Sequence, residues 1–297
     1  MLVGLTSFFG WFGFARAEMS STNYQIRWDT ISAGGSDTSS SASYGLRDTV
    51  GGTGIGGTSS ASYQGNAGYR AGVDDQTVTF NVVSQVTSSE VGATVLLGTN
   101  VTVTSVVGYS AGDFIALVQD KGASQVTAVG KITSVGVSSF IVDSWSTNGT
   151  MPSIDGTNDY VYKLSGATLS MAELSASAVR TSIIAFDVTA AAETGYTIQA
   201  ASDGLLRSGS DNIDNVADGS VTAGVEEYGA RSSDTSVSGS TFDTADTGFT
   251  TTFQPVVDVS SAAFEQRTFL TLKASMASST TNATYSQVLN LVLSPNF

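Results

Sequence analysis

Short stretches of alternating apolar and polar residues, separated by turn-forming residues, constrain the fold of this chain more than any other feature. The stretch from Thr77 to Val83 alternates cleanly, and strand-like stretches follow it at 100–106, 114–118, 125–132 and 140–142. Their spacing of roughly 10–13 residues is typical of a β-sandwich or a small barrel. Val, Thr, Tyr and Phe suit strands, whereas the helix formers Lys, Glu, Gln and Met are scarce. The sequence therefore predicts an all-β fold.

The 297 residues are enough for one large β-domain or for several smaller ones. We predict a Ser- and Gly-rich repeat region with short strands at 18–76, a β module at 77–165 and a C-terminal β-sandwich at 166–297. In an alternative division, 77–89 supplies the first strand of the C-terminal sandwich, and 90–165 is an inserted barrel. The expected fold class is a jelly-roll or β-sandwich module with a second small β-barrel or sandwich module and an extended N-terminal strand region.

The first residues have the pattern of a secretory signal peptide. Residues 2–14 are apolar and aromatic, and Ala15-Arg16-Ala17 matches an A-x-A cleavage site. Such a stretch is too short to span a bilayer as a stable anchor, and no other segment approaches that length. The positively charged start of a typical signal peptide is missing, so a buried first strand or helix is the alternative. We expect 1–17 to be a signal peptide and the protein to be secreted, extracellular or on the cell surface.

A Ser-x-x-Tyr motif occurs three times in the repeat region, ending at Tyr24, Tyr44 and Tyr63. After the first copy the residues alternate, which places Tyr24, Ile26 and Trp28 on one face of a strand. Gly- and Ser-rich runs separate the copies, and strands this short bury little apolar surface by themselves. We therefore expect the region to need another sheet. The predicted assembly residues are Tyr24, Ile26, Trp28, Tyr44 and Tyr63.

Composition and charge exclude several classes of function. The chain has no Cys and no His, which excludes thiolate and imidazole metal sites, cysteine nucleophiles and Ser-His-Asp triads. Its net charge of −14 repels nucleic acids and anionic membrane surfaces. Carboxylates are present, but no spacing selects the pair that a glycosidase needs. We expect neither enzymatic activity nor a nucleic-acid partner, and calcium is the one cofactor that the sequence leaves open.

A polar stretch rich in Asp and Asn holds the candidate calcium ligands. Calcium binds several hard oxygen atoms, which Asp, Asn and backbone carbonyls of a Gly-bearing loop can supply. The spacing does not match an EF-hand. The alternative, which the loose spacing favours, is a solvated loop whose Asp and Asn side chains cap turns. The candidate ligands are Asp203, Asp211, Asp214 and Asp218.

Three aromatic residues are candidates for stacking on sugar rings, because an aromatic face is apolar and carries a favourable quadrupole. They are Trp28, Trp145 and Tyr109. Large aromatic residues also dominate cores and subunit interfaces, and that use is the alternative for each of them.

The C-terminal region resembles a group of secreted bacterial surface proteins. A Gly195-Tyr196-Thr197-Ile198 strand is followed by an acidic stretch at 203–227 and by a terminal strand that ends in Pro295-Asn296-Phe297. This arrangement resembles the jelly-roll subunits of biofilm fibres of the camelysin type. The resemblance covers chiefly 166–297, implies a jelly-roll sandwich, and brings no catalytic residues with it.

These observations together predict an extracellular structural protein. We expect a subunit of a surface fibre, filament or surface layer that assembles by β-strand exchange (donor-strand complementation) with copies of itself, since an open sheet edge accepts a strand from a neighbour. The first-choice donor is Tyr24-Gln25-Ile26-Arg27-Trp28. The alternative function is that of a surface adhesin or carbohydrate-binding module with surface glycans as partners.

Overall fold

The structure, a computed structural model, describes residues 78–190, 192 and 194–296, and before them the backbone of six short strands. The chain divides into two compact units, Met1–Asp75 and Gln76–Phe297.

Three antiparallel hairpins make up the described part of the first unit. β1 pairs with β2, β3 with β4, and β5 with β6. Their bounds are β1 (Met19–Ser20), β2 (Gln25–Ile26), β3 (Gly34–Ser40), β4 (Gly45–Val50), β5 (Gly56–Ser59) and β6 (Gln64–Ala67). In each hairpin, the four residues between the paired strands are one copy of the Ser-x-x-Tyr motif. The sequence repeat is therefore a repeat of hairpins.

The second unit is built from strands, with one short 3-10 turn at Thr87–Ser89. Its strands are β7 (Val78–Ser84), β8 (Val91–Leu97), β9 (Asn100–Val103), β10 (Phe114–Gln119), β11 (Val126–Val135), β12 (Ser139–Val142), β13 (Ser146–Thr147), β14 (Tyr160–Leu164), β15 (Arg180–Ala190), β16 (Tyr196–Ser202), β17 (Leu206–Ser208), β18 (Asp211–Ile213), β19 (Glu227–Ser232), β20 (Gln254–Val259), β21 (Ala263–Ser275) and β22 (Leu289–Pro295).

Six of these strands close into an antiparallel barrel. The ring runs β8–β9–β12–β11–β10–β14 and returns to β8, and β13 pairs with β11. Alternation sends every second residue inward, where apolar side chains fill the small interior. The fully buried interior residues include Val101, Ile115, Leu117, Phe140 and Val161.

Two sheets form a sandwich beside the barrel. A four-stranded sheet has the order β19–β21–β15–β7, and a three-stranded sheet has the order β20–β16–β22. Their apolar inner faces pack together around a core that includes Phe186, Tyr196, Ile198, Phe249 and Leu270. Because β7 pairs with β15 while the barrel strands lie between them in the sequence, the barrel is inserted into the connection between two neighbouring strands of the sandwich.

A third apolar cluster joins the barrel to the outer face of the four-stranded sheet. Val118 and Tyr162 of the barrel pack with Ile183, Ala185 and Phe269 of the sandwich. All five are nearly or fully buried, so the barrel and the sandwich share a continuous core within the second unit.

An ion-pair network centred on Arg267 lies at the same junction. The Arg267 side chain is 4% exposed, donates to both carboxylate oxygens of Asp143 on the barrel side, and lies 3.4 Å from Asp187 of β15. Burial alone would raise the pKa of Asp143, but hydrogen bonds from Arg267 and from the backbone of Ser144 and Lys131 hold it below its usual value. Burial raises the pKa of Asp187, and the charge of Arg267 offsets only part of that effect.

A second polar contact, centred on Glu90, joins the residue before β8 to β14 and to Lys121. Its carboxylate accepts hydrogen bonds from Tyr162 Oη and from Lys121 Nζ, the latter at 2.6 Å. Burial tends to raise the pKa of Glu90, but these hydrogen bonds and the charge of Lys121 outweigh it and lower the pKa.

Glu90→Gln should flatten the acid dependence of stability. The unfolded chain takes up the Glu90 proton first, near its ordinary pKa of about 4.3, because the folded-state value is lower. The contribution of Glu90 is thus fully present above that pH and is lost as the pH falls through the folded-state pKa. Urea unfolding at neutral and acidic pH measures the loss, which should be smaller in the variant; an equal loss in both proteins would contradict this role.

The prediction of an all-β fold with a sandwich is confirmed in the described residues, which contain antiparallel sheets and no α-helix. Within the same residues, no helix is long and apolar enough to cross a membrane.

Candidate assembly edge

Two of the four sheet edges of the sandwich are blocked by other parts of the chain. Along β19, Asn215 and Thr247 form bridges to Tyr228 and Ala230. Along β20, side chains satisfy the backbone instead: Ser232 Oγ donates to the carbonyl of Val256 at 2.6 Å, and the Asp258 N–H donates to Asp234 at 2.7 Å. Such blocking prevents a further strand from pairing there.

The edge of β22 is different. β22 pairs with β16 on one side, and no strand in the described part of the chain pairs with its other side. Its seven residues alternate between half-buried and exposed, and none is fully buried. Leu289, Leu291 and Leu293 face the sandwich core but stay half-buried, because nothing in the described residues covers them from the free side.

The backbone of β22 also has hydrogen-bonding groups on its open side. The Asp203 N–H donates to the carbonyl of Val288, and the Asn296 N–H donates to the carbonyl of Gly195, so the even-numbered residues of β22 face β16. In an antiparallel ladder the intervening residues direct their N–H and C=O groups the other way. Leu289, Leu291 and Leu293 therefore present both apolar side chains and backbone groups that no described residue pairs with. We call these three residues and their free backbone the β22 edge.

β7 forms the second edge that is left open over most of its length. It pairs with β15, and only Ser84, at its end, makes further backbone bonds, with Ser165 and Gly166. Phe80 and Val82 face the core and are half-buried, and the Phe80 ring centroid lies 5.9 Å from that of Phe186. β22 offers three leucines on its core-facing side and, among the described residues, has no such further backbone bonds within its strand, so we take it as the candidate edge.

Most of the predicted assembly residues lie outside the described part of the chain. This applies to Tyr24, Trp28, Tyr44 and Tyr63, and to the predicted signal peptide at 1–17. The backbone of Ile26 is described, and it pairs with Met19 in the two-residue ladder of β1 and β2.

The four predicted calcium ligands are not gathered into one site. Asp203 forms an ion pair with Arg207 at 2.7 Å, and the hydrogen bond from Arg207 lowers the pKa of Asp203. Asp218 accepts from the N–H of Ser220, whereas Asp211 and Asp214 are exposed. Among the described residues, no three His, Cys, Asp or Glu side chains are placed to share a metal ion. The structure gives the calcium prediction no support.

The two described aromatic candidates for sugar stacking are placed differently. Tyr109 is 7% exposed in the barrel core, and its hydroxyl donates to the carbonyl of Ser89 at 2.6 Å, so it offers no open face. Trp145 is half-buried against the barrel core, and its Nε1 donates to the carbonyl of Gly98 at 3.1 Å. Trp28 lies outside the described residues.

A polar cleft of about 420 Å³ lies between β13 and the ends of β20 and β21. Hydroxyl, amide and carboxylate groups dominate its lining, which includes Thr147, Thr235, Asp234, Asp258 and Gln266. Such a surface suits a hydroxyl-rich ligand or water. No signal in the sequence brings these residues together, because they come from four separate segments.

The sequence also does not identify the β22 edge as the one that would accept a strand from another copy. The alternation of Leu289, Leu291 and Leu293 with polar or exposed residues marks a strand with one buried face, but it does not tell which edge of a sheet that strand occupies. Searches against known protein families, curated proteins and solved structures find no match to this chain.

Proposed function

We propose that this protein is an extracellular structural protein, a subunit of a surface fibre, filament or surface layer that assembles by β-strand exchange between copies. The proposal is for a structural role, not a catalytic one. The β22 edge carries it, since three half-buried leucines and their free N–H and C=O groups offer what an added strand would use.

The proposed donor is the segment Tyr24-Gln25-Ile26-Arg27-Trp28 of a neighbouring copy. Its large apolar side chains alternate, so one face of the added strand could cover the leucines while Gln25 and Arg27 face away. Among the described residues of its own chain, β2 pairs with β1 over two residues. A ladder this short contributes little stability, so exchanging it for a longer one with β22 is favourable.

Deleting residues 18–30 should leave a folded subunit that no longer assembles. A sharper comparison replaces one face of the donor at a time. Changing Tyr24, Ile26 and Trp28 together to Ser should abolish assembly, whereas changing Gln25 and Arg27 to Ser should leave it intact. Sedimentation velocity and negative-stain microscopy measure the assembly. Polymers that persist in the first variant, or a wild-type protein that stays monomeric at high concentration, would refute the proposal.

A second candidate function is surface adhesion through glycan binding, and the polar cleft favours it. Sugars are recognised by directional hydrogen bonds from groups such as those of Asp234, Asp258 and Gln266, and the cleft supplies several. A glycan array should then show saturable binding that Asp258→Asn weakens. Trp145→Ala tests whether the neighbouring ring contributes. Absence of binding across the array would exclude this second role.

A further inference from the structure

Lys273 and Asp246 form a buried ion pair on the outer face of the four-stranded sheet. The Lys273 Nζ lies 2.9 Å from Asp246 Oδ1 and 3.1 Å from Oδ2. The two side chains are only 13% and 4% exposed. Charges so poorly hydrated are costly to keep unless they are in direct contact, as these two groups are.

Gly229 lies on β19, between the strand that carries Lys273 and the segment that carries Asp246. It lies directly opposite Lys273 in the β19–β21 ladder, and the bridge from Ala230 to Thr247 places Asp246 on the far side of β19. A Cβ atom at Gly229 would lie 2.6 Å from Val216 Cγ1 and 3.2 Å from the carbonyl oxygen of Thr247. The missing side chain therefore lets Val216 and the backbone of Thr247, the residue after Asp246, pack closely against β19.

Next to this ion pair, two consecutive backbone amides each donate a hydrogen bond to a carboxylate. The Val221 N–H donates to Asp246 Oδ2 at 3.0 Å, and the Thr222 N–H donates to Glu227 Oε2 at 3.0 Å. Glu227 lies opposite Ser275 and thus projects from the same face of the sheet as Lys273. An amine and a carboxyl are therefore in contact, and the backbone amide next to the one that binds this carboxyl holds a second carboxyl.

We propose that Lys273 and Asp246 condense to an intramolecular amide, which makes this pair a self-modification site. The ammonium first gives a proton to the carboxylate, and the neutral amine then attacks Asp246 Cγ. The new C–N bond forms, one C–O bond breaks, and the departing oxygen leaves as water with two protons from the former ammonium. The balance is –NH₃⁺ plus –COO⁻ giving –CO–NH– plus H₂O, with no oxidant or other reactant.

The surroundings supply what this step needs. Holding the two groups in contact removes the entropic cost of bringing them together. The Val221 N–H stabilises the negative charge that develops on Oδ2 during the attack. Glu227, which the Thr222 N–H holds on the same face of the sheet as Lys273, is the carboxyl we propose for the proton relay. The amide would tie β21 to the segment before Thr247 in a chain that has no cysteine for disulfides, and it does not depend on the proposed assembly.

Mass spectrometry of the full-length protein tests the proposal. The wild type should be lighter than its sequence by one water, and Lys273→Arg should have its full sequence mass. Trypsin should fail to cut after Lys273, and the fragments 232–267 and 268–297 should be recovered as one joined species whose link tandem spectra assign to Lys273 and Asp246. The Lys163–Asp113 pair, at 2.7 Å but with 29% and 20% exposed side chains, is the matched control and should stay unlinked because water solvates it.

Each result of these measurements either supports or overturns the proposed amide. A wild type at full sequence mass with normal cleavage after Lys273 would overturn the proposal, as would a water loss that persists in Lys273→Arg. Glu227→Gln should lower the modified fraction several-fold, and an unchanged fraction would remove Glu227 from the step. The wild-type digest alone gives the answer even if a variant fails to fold.

Discussion

Leu291→Pro is expected to abolish assembly while leaving a folded subunit. The Leu291 N–H points to the free side of β22, so proline removes a donor that an added strand would use without removing a bond to β16. The ring also places bulk where the neighbouring strand would lie. Loss of the half-buried leucine side chain should cost the subunit about 1–2 kcal/mol, less than the cost in a closed core. Sedimentation velocity measures assembly, and thermal unfolding measures the fold.

The matched control for this variant is Val292→Pro. The N–H of Val292 faces β16, so the same ring there breaks a ladder bond inside the sandwich. This variant should lose thermal stability far more than Leu291→Pro does. If Leu291→Pro still forms polymers, β22 is not the accepting edge.

Arg267→Met should be the most destabilising single change at the junction of barrel and sandwich. It leaves Asp143 and Asp187 without the cation that compensates them, and removing one partner of a buried ion pair typically costs 3–5 kcal/mol. We expect about 3 kcal/mol, because the two carboxylates keep 29% and 20% side-chain exposure and thus some access to water. Urea unfolding at neutral pH measures the change in free energy.

Two carboxamide variants separate the contributions of Asp143 and Asp187 to the stability of this junction. Asp143→Asn removes a carboxylate that Arg267 holds in its charged form, so it should destabilise clearly. Asp187→Asn removes a carboxylate whose charged form is already disfavoured by burial, so its effect should be small. Equal effects of both substitutions, or a stable Arg267→Met, would contradict the assignment of Arg267 as the centre of the network.

The strand content could be predicted from the sequence because period-two alternation follows directly from the geometry of a half-buried strand. Thr77 to Val83 is identified in this way and corresponds to β7, whereas the continuous apolar run at 114–118 is identified by its spacing and corresponds to β10. Which strands pair is a long-range property, and alternation does not encode it. The pairing of β7 with β15 across the whole barrel is the clearest example.

The candidate sites also depend on long-range contacts that the sequence pattern does not encode. A high local density of Asp between 203 and 218 predicts a calcium site, whereas in the structure Asp203 pairs with Arg207, and no three carboxylates among the described residues are placed to share a metal ion. Conversely, Lys273 and Asp246 are 27 residues apart in sequence and meet because β19 pairs with β21 on one side and bridges to Thr247 on the other. Neither arrangement leaves a spacing that sequence reasoning could detect.

Cysteine pairing between copies tests strand exchange at β22 most directly, since the natural chain has no cysteine. A protein with Ile26→Cys is mixed under oxidising conditions with proteins that carry one cysteine at Leu289, Leu291 or Leu293. The account predicts a disulfide between unlike copies for at least one of the three, and none with Val292→Cys, whose side chain lies on the opposite face. No linkage with any of the three leucine positions, in a mixture that polymerises, would contradict it.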